Sequence, residues 1–315
     1  MPSAPSQGEA VNRRRIAIGV SSVSGLAVIA AGALNMFSAG SSAQAVNLHA
    51  TPVAAVNATG AATGNAGSAQ VDTLLTMSTP AIPARGKNPA VPAKSATMHG
   101  TGSFDFASGR GRIDLAVPNA PDSGAEEVLT PSALYIRTTA APPTAATTAK
   151  GWQEVEIAKS PDGGVVSAGA IDPELVFAML AGTDPGAKYV GQDEVRGVPV
   201  AHYQGTLDLQ QAAGVAGAAA KQALTNAARA LSPKVPFDAY LDAQGRLRRF
   251  VAQFGYKVPA SPDTVVNVTS ATELFGFGTP VDVTVPSVAQ SALHPAKPTA
   301  PTAPTHPSSP TGTHK

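Results

Sequence analysis

Apolar side chains recur at every second position through most of the middle of the chain. In Ser95–Phe106, Met98, Phe104 and Phe106 fall on one face, and Thr97, His99, Thr101, Ser103 and Asp105 on the other. That alternation predicts a half-buried strand. Ile113, Leu115 and Val117 repeat it after a Ser108–Gly111 turn. The stretches "ALYIRT" and "WQEVEI" read as two more strands. "KYVGQDEVRGVPVAHYQGTLDL" reads as a pair broken at Arg196-Gly197. Phe237, Ala239 and Leu241 alternate with Asp238, Tyr240 and Asp242. Ala243-Gln244-Gly245 then makes a hairpin loop, with glycine where the backbone needs positive φ. "RLRRFVAQFGYK" returns, and "TVVNVTSATELFGFG" closes the set.

The period changes in three places. "DPELVFAMLAG", residues 172–182, predicts a short buried helix, with Asp172 as cap, Pro173 in the first turn and Gly182 at the stop. Residues 210–232 predict one longer helix with an Ala/Gly surface, able to lie close to a sheet, ended by Ser232-Pro233. "AQVDTLLTMS", residues 69–78, suggests a further short helix. Four prolines in the sixteen residues after it exclude a regular element there. Eight to eleven strands and two helices in this order predict an α+β fold. Its centre is a large antiparallel sheet with helices on one side.

The two ends carry no such pattern. Three arginines, Arg13–Arg15, precede an uncharged run from Ile16 to Phe37, and Ala43 and Ala45 follow in a small-x-small pattern. Residues 1–45 therefore read as a signal peptide cleaved after Ala45, or as a retained N-terminal membrane anchor. Both, through the Sec or the twin-arginine route, place the working part outside the cytoplasm, secreted or held at the outer face of the membrane. Residues 46–68 read as a flexible linker and 69–286 as the folded domain. In 287–315 prolines at 295, 298, 301, 304, 307 and 310 keep a step of three, the repeat of a polyproline helix. That tail is expected to be disordered or extended.

Composition removes several kinds of chemistry. The 315 residues include no cysteine, which excludes disulfides, thiolate metal sites, a cysteine nucleophile and a lipid-acceptor cysteine. A net charge of +1 with 14% charged residues gives no footprint for nucleic acid. Of six histidines only His99 and His202 lie in the domain, without zinc spacing. No nucleophile elbow or phosphate loop occurs, and no metal or cofactor is expected. Glu126-Glu127 and Asp193-Glu194 read as solvated acids at strand ends. The segment Val235–Lys257 holds two acids, four bases and five aromatics, yet its charges gather at the hairpin tip. Its return strand is apolar on both faces, because Leu247 and Val251 sit on odd positions and Phe250, Phe254 and Tyr256 on even ones. Helices or an apolar ligand would cover the second face.

"GVPVAHYQGTLDL", an Ala-rich helix and "VPFDAYLDAQGRLRRF", preceded by "GTGSFDF", "LYIR" and Gly151-Trp152, resemble the LppX/LprG-type envelope lipoproteins of actinobacteria, which share the LolA/LolB architecture. The resemblance spans about 69–286. It implies a half-barrel enclosing a hydrophobic cavity for acyl chains, and lipid binding or carriage without catalysis. The expected cavity lining is Phe104, Phe106, Leu115, Tyr135, Trp152, Phe177, Leu180, Tyr203, Leu207, Phe237, Leu241 and Phe250. The expected partners are a lipid, the membrane through Ile16–Phe37 if uncleaved, and an envelope protein; the chain is expected to be a monomer. An alternative is an envelope sensor or interaction module for a protein or cell-wall polymer. A hydrolase acting through His202 and a nearby acid is a third.

Overall fold

A computed structural model describes residues 50–81, 83–84, 90, 92–118, 120–138, 151–165, 172–257 and 265–287. The expected leader, 1–45, and the proline-rich tail, 288–315, lie outside them.

Eleven antiparallel strands form one open sheet, a half-barrel. In chain order they are β1 (Ser68–Thr79), β2 (Lys94–Asp105), β3 (Arg110–Val117), β4 (Ala120–Leu129), β5 (Ala133–Thr138), β6 (Gln153–Glu156), β7 (Lys188–Val195), β8 (Val198–Asp208), β9 (Lys234–Leu241), β10 (Leu247–Lys257) and β11 (Val265–Phe275). In space the order is β6-β5-β4-β3-β2-β1-β11-β10-β9-β8-β7. The sheet is thus two meanders joined where β1 meets β11, with Thr73 facing Thr272 across the seam and their hydroxyls 3.0 Å apart.

Among the described residues four α-helices accompany it: α1 (Pro52–Gly64), α2 (Pro173–Leu180), α3 (Leu209–Val215) and α4 (Ala218–Ala230). Their apolar residues share one core with the inner sheet face. Val56, Met179, Leu180, Leu209, Ala212, Leu224 and Ala227 pack with Phe104, Ile113, Leu207, Phe237 and Phe250. Asp172 caps α2 by accepting from the Glu174 amide at 2.8 Å, and Asp208 caps α3 in the same way. Among the described residues no helix is long and apolar enough to cross a membrane.

Four elements differ from the sequence expectation. The expected linker, 46–68, contains α1. The core face of α1 is Val56, Thr59 and Thr63, all fully buried, so its helical spacing is written largely in hydroxyls. Thr59 Oγ1 donates to the Gly245 carbonyl at 2.7 Å. Thr63 Oγ1 donates to the Thr59 carbonyl and accepts from the Leu247 amide at 2.8 Å. Residues 69–78 are strand rather than helix. Ala69, Val71, Thr73 and Leu75 are buried in alternation, and the exposed Leu74 obscures that period. β4 went unread behind its Pro-Asp-Ser-Gly start. The single helix expected over 210–232 is two, because Gly217 adopts extended backbone and opens α4; glycine inside a helix costs about 1 kcal/mol relative to alanine.

The hairpin tip follows expectation, with Gly245 at φ 75°. A bulge between Leu247 and Arg249 settles the faces of β10. It turns Leu247 inward together with Phe250, Ala252 and Phe254, and leaves Arg249 beside Tyr240 on the outer face.

Candidate functional site: an apolar cleft with an acidic lip

At the β6 end of the sheet the inner face does not meet a filling side chain. A cleft of about 430 Å³ opens there. Its sheet wall is Leu129 of β4, Leu134 and Ile136 of β5 and Val155 of β6. Register puts these on one face: Leu129 pairs with Leu134, and Leu134 with Val155. Ile157, Ser160, Gly163 and Gly164 form one side. Pro131, Leu175, Asp172 and Glu174 form another. The first turn of α4, Gly217 to Ala220, with Ala223, forms the roof.

Small residues create the space. A roof of glycine and alanine sends no long side chain toward the sheet. The loop beside it is held close: Asn226 Nδ2 of α4 donates to the carbonyls of Ala158 (3.0 Å) and Ser160 (2.9 Å). Gly163, at φ 66°, passes so near α4 that a Cβ there would lie 2.0 Å from the Ala223 carbonyl oxygen. Only glycine satisfies both that approach and that backbone angle.

The charges at the cleft have one sign. Asp172 and Glu174 are its ionisable lining residues, and among the described residues no lysine, arginine or histidine lines it. Burial, reinforced by the nearby Glu174 carboxylate, outweighs the amide hydrogen bonds to Asp172 and pushes its carboxyl up to about 7. Burial also raises Glu174. A third acid shares the face. Glu127 pairs with Ile113 on one side and Ile136 on the other, and is 2% exposed. Its Oε2 has no hydrogen-bond partner among the described residues, and burial pushes its carboxyl up to about 8. Its neighbour Glu126 points outward and is bound by Arg112 and Arg137. Glu126 and Glu127, read as solvated in sequence, are thus both buried, because β4 lies between β3 and β5 rather than at a loop, whereas Asp193 and Glu194 are exposed as expected.

None of the twelve residues expected to line the cavity lines this cleft. Phe104, Leu115, Leu180, Tyr203, Leu207, Phe237, Leu241 and Phe250 are buried in the packed core. Phe106 and Phe177 pack against its edge, their ring centroids 5.7 Å apart, and Phe104 lies 5.5 Å from Phe106. Tyr135 and Trp152 stand away from the cleft. Leu134 and Ile136 take the inner positions of β5, so Tyr135 turns outward to Glu154, and Trp152 lies under the Arg137 guanidinium. The lining residues that sequence reasoning missed are mostly aliphatic or alanine. Alternation in "ALYIRT" carried the signal for Leu134 and Ile136; nothing local marks Ala219 or Gly163.

His202 lies on the outer face, its Nε2 2.8 Å from Asp238 Oδ1 and its ring stacked on Tyr240 at 4.3 Å. His99 pairs in the same way with Asp72. Neither contact set includes a serine or threonine nucleophile, and among the described residues no group of three metal-ligating side chains forms.

No family model and no curated protein matches the chain. Among solved structures it is similar to the Mycobacterium tuberculosis lipoprotein LppX, with 10% identity and a TM-score of 0.40 over 74% of this chain and 98% of that one. It is also similar to LprF from Mycobacterium bovis, with 13% identity and a TM-score of 0.36 over 75% of this chain and 97% of that one.

Proposed function

We propose that this is an extracytoplasmic lipid-binding protein that holds an acyl chain without catalysis. The cleft carries the reading: about 430 Å³ of space bounded by Leu129, Leu134, Ile136, Val155, Ile157 and Leu175. That volume falls within the usual range of small-molecule sites, roughly 300–1,000 Å³. Burying about fourteen methylenes at about 0.8 kcal/mol each contributes on the order of 11 kcal/mol before association costs. No polar machinery is needed for that; aliphatic walls suffice. The leader at residues 1–45 supplies the extracytoplasmic part of the reading.

In this reading the eight of the twelve residues that lie in the core support the fold around the cleft rather than contact the ligand. Phe104, Phe106 and Phe177 form a ring cluster in and at the edge of that core. The test is organic extraction and mass spectrometry of the purified protein, alongside an Ala220→Trp variant. The wild type should release an acyl lipid. The variant, with an indole in the cleft roof, should release none while unfolding at a similar temperature. Equal lipid content in both, or no acyl lipid in the wild type after exposure to envelope extract, would reject the reading.

A further inference from the structure

We propose that this cleft selects an amphiphile whose head is an ammonium group, such as a protonated long-chain amine, over one whose head is a carboxylate. The inference rests on the acyl-binding reading and specifies the head chemistry of the same site.

Three observations carry it. The ionisable residues of the lining, Asp172 and Glu174, are both acids and sit together at the start of α2. The lip around Glu174 is tight: a Cβ built on Gly109 would lie 3.2 and 3.3 Å from its two carboxylate oxygens and 2.9 Å from Pro131. The carboxylate is therefore placed by its surroundings. Independently, Glu127 lies on the same sheet face beside the lining residue Ile136, with an Oε2 that is buried and without a donor among the described residues. When ionised, that third carboxyl adds negative charge behind the wall of the cleft and no compensating donor.

The consequences for a head group follow from its charge and donors. A fatty carboxylate brings a third negative charge to Asp172 and Glu174 in a partly desolvated site, with no N–H or O–H to offer. A primary ammonium brings the opposite charge and three donors. A neutral alcohol brings one donor and no charge. The expected order is ammonium, then alcohol, then carboxylate.

Displacement of the neutral dye Nile red from the full chain tests this, using dodecylammonium, dodecanol and dodecanoate, each below its micelle concentration. At about pH 9, above the raised carboxyls, dodecylammonium should displace the dye at a concentration at least about tenfold below that of dodecanoate. In an Asp172→Asn, Glu174→Gln double variant, where Asn still caps α2, that ratio should shrink toward one. Dodecanol is the reference, since a merely loosened cleft weakens all three ligands alike. Equal potency of amine and acid in the wild type overturns the head-group selection and leaves acyl binding standing. So does a preference that survives in the double variant. If the dye does not bind and no ligand displaces it, the acyl-binding reading falls, and the selection with it.

Discussion

The two ends of the same sheet use their inner faces differently. Toward β8–β10, Leu207, Phe237, Ala239, Leu241 and Phe250 face the helices, and Leu209, Ala212 and Leu224 meet them in a filled core. Toward β4–β6, Leu129, Leu134, Ile136 and Val155 are equally apolar, but the first turn of α4 opposes them with Gly217, Ala218, Ala219 and Ala220. The strand pattern is similar at both ends. What decides between a core and a cleft is the size of the side chains on the opposing element. Interior space here is a property of the facing pair.

The largest expected contrast is a matched pair of truncations. Phe250→Ala at the filled end should lower unfolding free energy by about 3–5 kcal/mol in a denaturant titration. Leu134→Ala enlarges a space that already exists and should cost about 2 kcal/mol, the low end for a buried leucine. Equal costs at the two ends would break the comparison.

The next contrast uses pH. Glu127 titrates near 8 in the folded chain and about 4.3 when unfolded. Between these values the folded state holds a proton that the unfolded state has released. Stability is therefore full below the unfolded value and falls as pH rises through the folded one. Glu127→Gln removes its share of that slope and leaves the share of the raised Asp172 and Glu174, so at about pH 8 the gap between variant and wild type should change by on the order of 3 kcal/mol relative to about pH 5. Urea midpoints across that range provide the check. A wild-type slope retained in the variant would place the buried charge elsewhere.

Thr63→Val sharpens the filled end. It keeps the shape of α1 but leaves the buried Leu247 amide without its 2.8 Å acceptor, for a loss of about 1–3 kcal/mol. The smallest effect belongs to Lys159→Ala, which removes an exposed ion pair with Glu156 beside the cleft and should change stability by less than about 0.5 kcal/mol.

The sequence made the sheet legible wherever one face is apolar, as in β2, β3, β5 and β8–β11. It hid α1 because the buried positions of that helix are threonines satisfied by the β9–β10 hairpin, more than 180 residues away in the chain. It hid the strand character of β1 because Leu74 and Leu75 are both apolar while only Leu75 is buried. Aromatics drew attention as cavity lining, yet large rings fill space, and eight of the twelve named residues lie in the core. The cleft is made by glycine and alanine, whose small size carries no periodic signal. The burial of Glu127 depends on the partners of β4, a strand that its own residues do not announce.

The seam between β1 and β11 has a consequence for synthesis. Each meander is built from neighbours in the chain, but Thr73 finds Thr272 only after nearly all of the described residues have been made. Until then β1 offers a bare row of amides and carbonyls along one side, and any growing copy nearby offers the same. A chain stopped before Val265 keeps that row open permanently. Such a fragment should collect in aggregates during expression, whereas the complete chain covers the row with its own last strand.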